Sequence, residues 1–288
     1  MLAEAVVLVA MVILLSVLLV LTGVRHRATH SCVQPAPREL VRRALAIIPS
    51  HPDASTLQQA VDRVLQTDPR VDVVVVDTAA AGLPAIGPAN PRVTLLRQPA
   101  PCTTADALRL GAARALHQHY DAVIELSVEH SRLARRITSL LEALDDGAHA
   151  AIGSRYVPGG RVLECGAFRR LVSRGINAAV RWHTRLPLRD VTAHIRAYRR
   201  VAVEQAVLQA TGHGHDFFLD VLLRCRDAGL RLSEVPVTAA GARSATGLAV
   251  CRDVLGRAIR WRRATPVEDV QHVIDMADHA ATPAVHGG

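Results

Sequence analysis

The chain contains no lysine: all 34 basic side chains among its 288 residues are arginine. With so much Ala and Val, that absence points to GC-rich coding rather than to a selected charge pattern. The formal net charge of +8 therefore does not mark a nucleic-acid binder. Aromatic residues are only 3% of the chain, so the stacking platforms that hold single-stranded nucleic acid are missing. Helix-turn-helix and zinc-finger spacings are absent too, and no nucleic-acid partner is expected. The basic excess better matches anionic lipid headgroups and phosphorylated substrates.

Cysteine is scarce and scattered. Cys32, Cys102, Cys165, Cys225 and Cys251 are odd in number and never form a CxxC, which argues against a disulfide framework or structural zinc and for reduced, buried thiols. The first apolar run of the body ends in Pro49-Ser50-His51-Pro52 rather than a GxGxxG, which disfavours a dinucleotide-dependent oxidoreductase. No Walker A loop and no Gly-x-Ser-x-Gly elbow occurs.

Charge is missing altogether from Ala5 to Leu21, where Ser16 is the one polar residue; Thr22-Gly23 extend the run to about the length that crosses a bilayer. A cleaved signal peptide has a basic start, but here Glu4 precedes the run and Arg25-His26-Arg27 follows it. Positive charge after the span predicts a retained single-pass anchor in the cell membrane with the body facing the cytoplasm. Residues 1–23 are expected to be this anchor and 24–41, with Pro35 and Pro37, a linker.

From Arg43 onward, short β-branched runs alternate with amphipathic helical spacing. Ala44–Ile48, Val71–Val76, Val93–Leu96, Ala122–Leu126 and Ala148–Gly153 read as buried parallel strands. Asp53–Gln66, Thr103–His119 and Ser131–Leu144 read as helices, with Asp53 or Ser55 and Thr103 or Thr104 as N-caps. This alternation predicts an α/β sheet over residues 42–247, with its ligand site at the carboxyl ends of the strands. A helix around Gly166–His183, a strand around Val191–Tyr198 and a last strand at Leu230–Val237 follow. Residues 248–264 form a basic amphipathic helix that suits either a membrane surface or ordinary packing on the domain, and 265–288 a tail.

Against this aliphatic background stands a dense array of phosphate-binding residue types. Ile152-Gly-Ser-Arg-Tyr-Val-Pro-Gly-Gly160 is followed by Arg169-x-x-x-Ser173-x-x-x-Asn177 and by Asp190-x-Thr192-x-x-x-Arg196-Ala-Tyr198. Arg169, Ser173 and Asn177 lie four residues apart, so one helix face presents a guanidinium, a hydroxyl and an amide, a set that can grip a phosphate. Arg155 falls at a strand end. For Asp190, Thr192 and Arg196 the alternative is structural: an Asp190–Arg196 ion pair holding the strand.

These three motifs, in this order and at these distances, resemble the polyprenol-phosphate sugar synthases, the dolichol-phosphate-mannose synthase branch of the family 2 glycosyltransferases. The resemblance runs from about Arg43 to Arg263, through Glu234-Val235-Pro236-Val237, and is stronger in the second half. It implies a GT-A fold, a Rossmann-like mixed sheet flanked by helices. It also implies transfer of a sugar from a nucleotide-sugar to a polyprenyl phosphate. Asp77, Pro49 and Arg155 would then contact the nucleotide-sugar, and Arg169, Ser173, Asn177 and Arg243 the acceptor or donor phosphates. Asp190, Thr192, Arg196 and Asp220 would support the site.

The donor half departs from that family. Its members carry Asp-x-Asp after the fourth main strand to hold Mg²⁺ or Mn²⁺; here the segment reads Ser127-Val128-Glu129, leaving Glu129 as the metal-ligand candidate. Asp77-Thr78-Ala79-Ala80 stands for Asp-Asp-Gly-Ser, and Ala242–Leu248 retains only Arg243 of a basic loop. His213-x-His215-Asp216 is a weaker metal candidate, and His117-x-His119 weaker again. Two functions stay open: a membrane-anchored glycosyltransferase, or a non-catalytic relative that binds lipid phosphate or scaffolds a cell-envelope complex.

Overall fold

The computed structural model describes residues 39–79, 90–97, 100–163, 166–240 and 247–261. The anchor expected at 1–23, most of the linker and the tail lie outside the described residues. Among those described, no helix is long and apolar enough to cross a membrane.

Seven strands form the main sheet: β1 (Ala44–Pro49), β2 (Val71–Val76), β3 (Val93–Leu96), β4 (Ala122–Leu126), β5 (Ala150–Ser154), β7 (Ile195–Arg199) and β8 (Leu232–Pro236). Their order is β3-β2-β1-β4-β7-β5-β8. A separate parallel pair joins β6 (Arg161–Leu163) to β9 (Thr238–Ala240). The helices are α1 (Ala54–Leu65), α2 (Thr104–His117), α3 (Ile137–Asp145), α4 (Ala167–Thr184), α5 (His215–Asp227) and α6 (Gly247–Arg260).

Runs such as Val73-Val74-Val75-Val76 are buried throughout because helices cover both faces of the sheet. Leu57, Val61 and Val64 of α1 and Leu140, Leu141 and Leu144 of α3 fill one core; α2, α4, α5 and α6 enclose the other. Asp53 caps α1 by accepting from the Ser55 and Thr56 amides, and Thr103 caps α2 in a reciprocal box with Asp106.

Strands β1 to β5 and β8 run in the expected common direction, and only β7 is antiparallel to its neighbours, β4 and β5. The chain therefore enters β7 at the carboxyl ends of the other strands, and the segment before it, 185–194, lies over the sheet's mouth. This strand starts later than its sequence pattern suggests, at Ile195, because the Val191 amide is taken by the Asn177 side chain, 2.7 Å away. The final run expected as one strand divides at Pro236, which lacks an N–H: Val237 donates to Ser154, and β9 then pairs with β6. The helix expected at Ser131–Leu144 is a 3₁₀ segment, Val128–Arg136, that becomes α-helical only at Ile137; His130 within it is non-helical.

Glycine shapes the mouth at two places. A Cβ on Gly153 would stand 2.5 Å from Ile195 Cγ2, and one on Gly160 only 2.6 Å from the Ser154 carbonyl oxygen. The first allows β5 and β7 to pack; the second lets the Gly159-Gly160 turn fold back on the Arg155 backbone.

Candidate functional site

The strand ends gather most of the residues singled out from the sequence. Pro49 closes β1 in register with Val76, and Ser50 Oγ bridges to Thr78 by accepting its amide at 3.0 Å. Asp77 is 3% exposed; its Oδ1 accepts from the Ala79 amide, forming a tight turn after β2. Beyond β4, Ser127 begins the 3₁₀ segment without capping it, and Glu129 is exposed in the first turn. The Ser131 hydroxyl is occupied by Arg63 Nη1 at 2.7 Å.

Two buried ion pairs flank the centre of the mouth. Arg155 grips Asp190 in a fork, Nε to Oδ2 at 2.7 Å and Nη2 to Oδ1 at 2.8 Å, and Nη2 also reaches Thr192 Oγ1 at 2.8 Å. Glu234 fixes this turn by accepting the Arg189 and Asp190 amides at 2.8 and 3.0 Å. The second pair is Arg196 Nη1 to Glu125 Oε2 at 2.8 Å; the β4–β7 register sets the two residues opposite each other. The Arg196 guanidinium also lies 4.5 Å from the Phe218 ring centroid. Burial pushes the Glu125 carboxyl up, against the opposing pull of Arg196. The Asp190–Arg196 pair expected from sequence is thus corrected: each partners a different residue, because β7 inserts between β4 and β5.

Between these pairs lies a feature that periodicity does not reveal. The His130 and His194 rings stack with centroids 3.9 Å apart and planes 5° from parallel. His194 Nε2 is 3.4 Å from Arg155 Nη1, and His130 Nδ1 is buried without a hydrogen-bond partner. Burial, reinforced by the neighbouring ring and by Arg155 and Arg196, lowers the His194 pKa well below its ordinary value. Burial likewise lowers those of His130 and His215. The stack is therefore a pair of neutral rings at neutral pH. A contact between residues 64 positions apart leaves no local sequence signal.

On the other side of the Gly159-Gly160 turn, Tyr156 Oη donates to Ser173 Oγ at 2.7 Å, joining the strand end to α4. The expected phosphate face of α4 is only partly open. Ser173 is half-buried, but Asn177 is 3% exposed and its amide is committed to the Ser173 carbonyl and the Val191 N–H. Arg169 falls in α4 with its side chain outside the described residues, and Arg243 is wholly outside them. Asp220 is 0% exposed; its Oδ2 accepts from the Thr211 amide and pairs with Arg224 and Arg257, tying α5 to α6.

Residues 45–206 match the profile of Glycosyl transferase family 2. The chain belongs to that family. It is 33% identical over 211 residues to polyprenol monophosphomannose synthase of Mycolicibacterium smegmatis, covering 71% of this chain and 80% of that one. It is 30% identical over 202 residues to undecaprenyl-phosphate mannosyltransferase of Micrococcus luteus, covering 68% and 83%. A mannosyltransferase from Pyrobaculum calidifontis, solved in complex with GDP-Man and Mn²⁺, superimposes with a TM-score of 0.52 at 16% identity, covering 96% of this chain and 85% of that one. That likeness confirms the GT-A-like fold, a mixed sheet flanked by helices.

The residues here would offer a divalent ion of that kind few protein ligands. Hard cations take several oxygen ligands, which Mg²⁺ shares among one or two carboxylates, substrate phosphates and water. The β4 turn offers the Ser127 hydroxyl and one exposed carboxylate, Glu129, and among the described residues no group of three His, Cys, Asp or Glu side chains can hold a metal. The stacked imidazoles do not supply the deficit, because parallel rings direct their nitrogen lone pairs along parallel planes rather than toward one ion at about 2.0–2.1 Å. His213, 3.8 Å from Asp106, and His215 in α5 form no such group either.

Proposed function

We propose that this family 2 glycosyltransferase transfers a sugar from a nucleotide-sugar to a polyprenyl phosphate. The observation that carries this function is its identity, over about two thirds of the chain, with two relatives named for polyprenol or undecaprenyl phosphate mannosyl transfer. The site's chemistry is compatible. A phosphate monoester acceptor is already anionic, so its oxygen attacks the anomeric carbon without a general base. The new bond is carbon to phosphate oxygen; the bond broken joins that carbon to the diphosphate, and the nucleoside diphosphate leaves with the electron pair.

In this scheme Pro49 and Asp77 line the nucleotide end at β1 and β2. Arg155, oriented by Asp190 and Thr192, stands between donor and acceptor. Ser173 with Tyr156, and Arg169 and Arg243, receive the acceptor phosphate. Asn177 serves the acceptor side by holding the Val191 turn, Arg196 by bracing β4 against β7, and Asp220 by fastening α6. Residues 1–23 anchor the protein in the cell membrane in a single pass, with the catalytic body, 42–247, facing the cytoplasm, where nucleotide-sugars are found.

Two observations favour a second function, a relative that binds lipid phosphate without transferring sugar: Ser127 replaces a family carboxylate, and Arg155 and Arg196 at the mouth are already paired with acids. A transfer assay with radiolabelled GDP- and UDP-sugars separates the two. Polyprenyl-phosphate-dependent label in the organic phase supports transfer. Absence of label at high enzyme concentration, with lipid-phosphate binding retained by calorimetry, supports the non-catalytic function.

A further inference from the structure

Resting on the proposed nucleotide-sugar donor, we infer that the His130–His194 stack binds the donor diphosphate directly, through imidazole N–H groups, without a divalent ion.

The position of the stack carries this assignment. His130 belongs to the turn that leaves β4, next to Glu129. His194 immediately precedes Ile195, which pairs in register with Leu126, so it faces the same turn from across the sheet. The two rings thus stand at the mouth where the family's Asp-x-Asp would present a metal. They are unsuited to a cation: their lone pairs do not converge, and guanidinium groups lie close by, Arg155 Nη1 at 3.4 Å from His194. They suit an anion. A neutral imidazole always carries one N–H, and hydrogen bonds to a charged phosphate oxygen are stronger than those between neutral groups.

An unsatisfied atom marks the same place. His130 Nδ1 is buried without a partner, although buried polar atoms are nearly always paired. In the Nδ1–H tautomer a phosphate oxygen would satisfy it. Direct recognition also accounts for the loss of the first carboxylate at Ser127. Without a metal, a second anionic ligand there would repel the diphosphate rather than hold it.

The test is calorimetric titration of the full-length, detergent-solubilised protein with GDP and UDP, once in EDTA and once in Mn²⁺. Binding of equal strength in the two conditions is expected. His130→Phe and His194→Phe keep the stacked ring but remove its N–H, and each should weaken binding about tenfold, the effect of one hydrogen bond to a charged group. His130→Asn, which restores a donor near the Nδ1 position, should bind close to wild type and guards against a folding defect in the Phe variant. Binding that appears only with Mn²⁺ overturns the direct-contact assignment and leaves the nucleotide-sugar donor intact. Equal binding that both Phe variants retain overturns the role of the imidazoles. Failure of both nucleotides to bind in either condition overturns the donor proposal itself, and this assignment with it.

Discussion

Asp190 shows how a single carboxylate organises the mouth. It is 0% exposed and holds Arg155, itself 8% exposed, in a two-pronged grip. Removing one member of a buried pair leaves an uncompensated charge, so Asp190→Ala is expected to lower stability by about 3–5 kcal/mol in urea unfolding. Arg200–Glu204 is the contrasting case, with side chains 42% and 46% exposed; Glu204→Ala should change stability by no more than about 0.5 kcal/mol. Equal effects from the two substitutions would show that the Arg155–Asp190 pair is not buried in solution. Asp53 gives a second residue-level prediction. Hydrogen bonds from Thr56 and Ser55 lower its pKa to about 2. A depressed carboxylate contributes stability that is present above its unfolded-state pKa and lost as pH falls through the folded value. The α1 cap should thus persist at pH 4 and be lost near pH 2, and a carboxyl-carbon NMR titration with a midpoint near 4 would contradict it. Which arginine meets which acid was not legible in the chain, since both pairs depend on β7 entering the sheet antiparallel.

At the scale of elements, local chemistry and sequence agree closely. β-branched runs mark β1 to β5 because both sheet faces are covered, and the caps at Asp53 and Thr103 stand where side-chain acceptors precede amphipathic spacing. Thr103→Ala removes half of the reciprocal box with Asp106 and should cost about 1 kcal/mol, read from the urea midpoint at unchanged slope. What the sequence conceals at this scale is interruption by tertiary contacts. Asn177 captures the Val191 amide and delays β7, while Arg63 claims Ser131 in the 3₁₀ segment. Such partners lie 14 and 68 residues away, beyond the reach of any periodicity. The phosphate motifs were legible as residue types, but not in their geometry: Asn177 turned inward as a brace, and the stacked His130 and His194 carried no motif.

For the whole molecule, family membership and fold follow from the body, whereas membrane attachment is proposed from residues 1–23. If that segment is a single-pass anchor, the full-length protein should sediment with membranes after alkaline carbonate washing and enter solution only with detergent. Release by carbonate or salt alone would argue against a span. The basic helix α6 does not by itself imply the bilayer, since Arg257 is drawn inward to Asp220 and Val254, Leu255 and Ala258 pack into the core. Catalysis is the central claim, and its products can be weighed. Incubation of the full-length protein with polyprenyl phosphate and GDP- or UDP-linked sugars, followed by mass spectrometry of the lipid, is the most direct measurement. One sugar added per polyprenyl phosphate, with one nucleoside diphosphate released for each, is the expected result. An unchanged lipid with every donor, or nucleotide-sugar cleavage without lipid glycosylation, would contradict it.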